Sequence, residues 1–148
     1  MSTLPLTDAE ARDLRALAGV MIPASDTYKV PGADDEAIFA DILKSLDRDT
    51  ADVRTALAHL AKLAGGAFAD LAPDRRRDVA ATFKQEGGAP LGALNRVVLL
   101  CYYRDDRVMR SLGQEPRSPF PKGHVVEQGD WSLLDPVKKR APMWRRTS

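Results

Sequence analysis

The side chains best suited to chemistry in this sequence are few and scattered. Two histidines, His59 and His124, one cysteine, Cys101, and the charged runs Asp34-Asp35-Glu36 and Arg104-Asp105-Asp106-Arg107 are the groups able to move a proton, attack an electrophile or hold an ion. Acid-base catalysis requires such groups to converge in a cleft with shifted pKa values. His59, between Ala58 and Leu60, reads as a packing residue in mid-helix, whereas His124 follows Gly123 in the C-terminal region and is the freer candidate for a ligand or base. Cys101 lies in the most apolar stretch, where cysteine behaves as a small buried hydrophobe; a nucleophilic thiolate needs accessible, electropositive surroundings. The acids at 34–36 suit a helix N-terminus and lack the spacing that brings oxygens together on a hard cation. The 104–107 run reads as a solvated ion-pair cluster. A single cysteine excludes a disulfide framework and a multi-thiolate metal site. Gly65-Gly66 and Gly87-Gly88 lack the strand-turn-helix setting of a phosphate cradle. No catalytic, cofactor-binding or metal-binding residue is assigned on this basis.

The elements that would position these groups are helices. Thr7 and Glu10 match a capping box, and behind them Leu14, Leu17, Ala18 and Met21 recur on one face up to Pro23. A second helix is expected from Asp34 to Leu46, with Ile38, Phe39, Ile42, Leu43 and Leu46 on one side. A third is expected from about Thr50 to Leu71, broken or kinked at Gly65-Gly66 because each helical glycine costs about 1 kcal/mol. The fourth opens on Pro73 and ends at Gly87-Gly88, with Val79, Ala80 and Phe83 inward and Arg75-Arg76-Arg77 outward. The fifth, Pro90 to about Leu112, is apolar all round at 97–103, the pattern of a central helix packed on several sides. No alternating strand run is present, Val125-Val126 being too short. The fold class is all-α, a compact bundle of about five helices with a long irregular C-terminal arm.

The chain has 148 residues, 44% hydrophobic and 29% charged, with a formal net charge of +1, an ordinary size and composition for one globular domain. That near-neutral total gives no global field to gather nucleic acid or an anionic membrane. It averages two unlike parts. Residues 1–113 carry fifteen basic against seventeen acidic side chains, and residues 114–148 seven against four. The arm also holds five of the ten prolines, Phe120 and both tryptophans. Aromatic residues on extended backbone need a surface to pack on, and such anchors dominate interface energies. Either the arm folds back over its own helices or it lies along another subunit, and on the second reading partner-binding residues are expected at Phe120, Pro121, Trp131, Leu133, Leu134 and Trp144. Pro23, Tyr28 and Pro31 join them, because the aperiodic loop 23–33 is long for a small helical domain.

The run Gly19-Val20-Met21-Ile22-Pro23-Ala24-Ser25-Asp26, followed by Pro31-Gly32-Ala33, Tyr102-Tyr103 and Leu112-Gly113-Gln114-Glu115-Pro116, resembles the gluconate 2-dehydrogenase subunit 3 family over most of residues 14–121. The resemblance implies a small helical subunit without catalytic residues that accompanies a large flavoprotein of the glucose-methanol-choline type. That partner would hold FAD, oxidise a sugar, sugar acid or other alcohol, and pass electrons to a cytochrome or quinone. Many members begin with a twin-arginine export signal. Here the N-terminus lacks the charged and apolar regions of a signal peptide and no stretch has membrane-span length, so a cytoplasmic location is expected unless the partner carries the signal. The alternative reading is a stand-alone helical adaptor whose basic arm, Lys138-Lys139-Arg140 with Arg145-Arg146, binds nucleic acid or an anionic membrane surface.

Overall fold

A computed structural model describes residues 6–117 and 128–141. Several helix boundaries of the larger unit follow from a local stop or start signal. Helix α1 spans Asp8–Met21. Its capping box is complete: Thr7 Oγ1 accepts the Glu10 N–H at 3.3 Å and Glu10 Oε2 accepts the Thr7 N–H at 2.8 Å. Helix α2 spans Glu36–Lys44, shorter at both ends than Asp34–Leu46. Asp35 is its N-cap, Oδ1 accepting from Ala37 and Ile38 at 3.1 and 3.4 Å. A residue whose side chain bonds the first free N–H groups stands outside the helix it starts.

Helix α3 spans Thr50–Ala64, and Gly65, at φ 73°, ends it in the left-handed conformation. The expected continuation to Leu71 is instead a separate 3-10 turn, Phe68–Asp70, that fully buries Phe68. Asp13 of α1, itself buried, holds this turn by accepting the Ala69 N–H at 2.8 Å. Helix α4 spans Pro73–Glu86. Arg76 does not face outward with its neighbours: its guanidinium donates to Leu71 O at 2.9 Å and Ala69 O at 2.6 Å, supplying carbonyls that the turn leaves unpaired.

The expected fifth helix is two, α5 at Ala89–Tyr103 and α6 at Asp106–Ser111. Asp105 adopts an extended conformation and its carboxylate accepts the Arg107 N–H at 2.9 Å, a local bond that competes with the helical ladder. Helix α3 packs chiefly on α5 and α4, α2 on α5, and α1 on α4 and the 68–70 turn. Leu14, Leu17, Ile42, Leu60, Leu94 and Val98 lie in one buried cluster. Past α6, left-handed Gly113 lets the Gln114 N–H reach Met109 O at 2.9 Å, so the larger unit runs on to Pro116, where the chain divides into two units.

In the second unit a 3-10 turn, Trp131–Leu134, leads directly into helix α7, Asp135–Lys138. That is more helix than the single turn expected from Asp130–Pro136. Asp130 starts it by accepting from Ser132 N–H at 3.0 Å and Ser132 Oγ at 2.6 Å, and Pro136 falls in the first turn, where it is tolerated.

Candidate partner interface

The loop after α1 is built rather than slack. Ser25 and Val30 exchange both backbone hydrogen bonds, at 3.0 and 3.1 Å, closing a four-residue tip on which Lys29 takes φ 53°. Tyr28 stands at that tip 73% exposed. Behind it the backbone is cramped: a Cβ on Gly32 would lie 2.9 Å from Ala24 N and 3.2 Å from Ile22 O, and one on Gly19 would lie 2.9 Å from the Asp34 carboxyl. Tyr102 of α5 donates its hydroxyl to Pro31 O at 3.2 Å, and burial pushes its pKa up. Of the three loop residues expected to touch a partner, Pro23 and Tyr28 are exposed and Pro31 is half-buried.

Ion pairs tie the loop and α2 to the end of α5 and to α6. Arg107 contacts Asp35 Oδ1 at 2.7 Å and Asp105 Oδ2 at 3.0 Å; its guanidinium holds both carboxyls below their ordinary pKa. Arg104 reaches Asp41 at 2.6 Å and Ser45 Oγ at 2.5 Å. The acids at 34–36 and the 104–107 run thus meet across the fold as caps and ion pairs. Elsewhere His59 pairs with Glu86 and lies 5.8 Å from the Phe83 ring, bridging α3 to the end of α4. Cys101 is buried, and desolvation raises its thiol pKa, the opposite of what a nucleophile requires. Among the described residues no group of three or more potential metal ligands converges, and no helix is long and apolar enough to cross a membrane.

The unexpected surface is on α5. Its apolar middle is not packed all round: Val97, Val98, Cys101 and Tyr102 are buried, while Leu99, Leu100 and Tyr103 are 41%, 57% and 53% exposed. At 100° per residue these three share a face with Gly92 and Arg96. Sequence reasoning missed this because a helix apolar on every side is consistent both with burial in its own bundle and with one face kept for another chain. Beside the face an open groove of about 450 Å³ runs between α1, α4 and α5. Helix α1 contributes Leu17, Val20 and Met21, α4 contributes Ala80 and Phe83 with Arg77 and Lys84, and α5 contributes Leu91, Asn95 and Leu99. Leu99 belongs to both features.

In the second unit Trp131, Leu133 and Leu134 are exposed. Phe120, Pro121, Trp144 and His124 lie outside the described residues. The comparisons with known proteins give no match: none with a family model, none with a curated protein and none with a solved structure.

Proposed function

We propose that this chain is a non-catalytic small subunit that binds and stabilises a large FAD-dependent dehydrogenase of the glucose-methanol-choline type, which oxidises a sugar, sugar acid or other alcohol. The observation that carries the reading is the exposed apolar face of α5, with Leu99, Leu100 and Tyr103 side by side. Contiguous exposed apolar surface on a small domain marks an interaction site, and residues of this kind are the ones that bind by leaving water. The family resemblance names the partner. Several of the residues that carry the resemblance lie together: Gly19 and Gly32 admit the close approach of the loop, and Tyr102 donates to Pro31.

On this reading the partner supplies FAD and the reacting groups, and the small chain contributes surface. Tyr28, Trp131, Leu133 and Leu134 offer further apolar contact. The test is co-expression of the tagged full chain with a large flavoprotein of this type from the same genome. A yellow complex with alcohol-oxidising activity, and a partner that loses FAD or precipitates without the small chain, is the expected result. A flavoprotein that is soluble, flavinylated and fully active alone, with no co-purification, would refute the proposal.

A further inference from the structure

We propose that the groove between α1, α4 and α5 receives an amphipathic helix of the partner protein, with its apolar side on Val20, Met21 and Leu99 and its carboxylates toward Arg77 and Lys84. Only the identity of the partner rests on the function proposed above.

Three observations converge on that occupant. Apart from Asn95 the groove is apolar where α1 and α5 line it, and Ala80 and Ala81 on α4 leave room for a backbone to approach. Its charge is one-sided: residues 1–113 are acidic overall, fifteen basic against seventeen acidic, yet the lining holds Arg77 and Lys84 and no carboxylate. Both cations stand on α4, two helical turns apart, so they match carboxylates spaced i, i+7 on a facing helix, about 10 Å. Arg77 already engages Asp74, but that pair is exposed on both sides, and such pairs are worth little and exchange readily. Finally, the groove continues into the exposed face of α5 through Leu99. A small ligand would end at the groove, whereas a helix lying along it also covers the neighbouring apolar stripe.

The test uses the full chain, labelled for NMR, with a designed helical peptide of about 18 residues, or ~27 Å. The peptide carries leucines at i, i+3, i+4 and i+7 with glutamates beside them; a control carries lysines in place of the glutamates. The glutamate peptide is expected to shift the amide signals of Val20, Ala81 and Leu99, and to bind at least tenfold tighter than the control. The double variant Arg77→Glu with Lys84→Glu should reverse that preference. Equal binding of both peptides, shifts confined to other surfaces, or self-association of the chain through the groove would each overturn the proposal. If the peptides behave as expected but no flavoprotein co-purifies, the groove stands and the proposed function falls. If a flavoprotein co-purifies equally with the charge-reversed variant and the peptide does not bind, the groove proposal falls alone.

Discussion

Replacing Leu99, Leu100 and Tyr103 together by serine separates a docking face from a core. The three side chains are 41%, 57% and 53% exposed, so roughly half of each remains to be taken from water. Full burial of a side chain of this size is worth about 1.5–3 kcal/mol, leaving about 1 kcal/mol at each position and about 3 kcal/mol for the set. At about 1.4 kcal/mol per tenfold, that is on the order of a hundredfold in partner affinity. In the isolated chain the same substitutions also remove the covered half of each side chain, a further loss of about 1 kcal/mol at each position on the same scale. The assays are urea unfolding of the free chain and titration of the co-purified flavoprotein by surface plasmon resonance. The expected pattern is a lowered midpoint with a cooperative transition retained, and affinity of the folded variant at least tenfold weaker. A free chain that no longer folds cooperatively would mean that these residues belong to the core. Unchanged affinity would mean that the partner docks elsewhere; either result refutes the reasoning.

Gly32→Ala places a Cβ against the backbone at Ala24 and Ile22. Thermal unfolding should show a loss of about 1–3 kcal/mol, the usual range for overpacking, and an unchanged melting temperature would show that the loop relaxes freely. Arg107→Met removes the shared partner of Asp35 and Asp105, whose folded pKa values are lowered. Their contribution is fully present above the ordinary carboxylate value and is lost as pH falls through the lowered folded values. The variant should therefore be less stable at neutral pH, by about 1 kcal/mol for partly exposed pairs, and should lose less on acidification below about pH 4; parallel pH profiles would contradict the pairing. Cys101, buried and with its thiol pKa raised, should resist alkylation in the native protein and react on unfolding. Rapid labelling of the folded chain would show that the α5 core opens.

Local signals in the sequence located most helix ends correctly, because caps and stops act over three or four residues. Thr7 with Glu10 begins α1, Pro73 begins α4, and Gly65 and Gly87 end α3 and α4. Where the sequence misled, a longer-range or competing bond had won. Asp105 leaves the helix to cap α6, and Arg76 turns inward to carbonyls at Leu71 and Ala69 that only the folded 68–70 turn presents.

By itself, the sequence determined an all-helical body and marked the aperiodic loop 23–33 between its first two helices. It also placed the residues that resemble a dehydrogenase small subunit. Only the tertiary structure decided which apolar side chains stay in water. Periodicity distinguishes the faces of a helix when polar residues mark one of them, and the 97–103 stretch of α5 has no such mark. Neighbouring helices cover Val97, Val98 and Cys101 and leave Leu99, Leu100 and Tyr103 uncovered. The arrangement of α1, α4 and α5 around one groove likewise turns Arg77 and Lys84, ordinary surface residues in sequence, into its charged side.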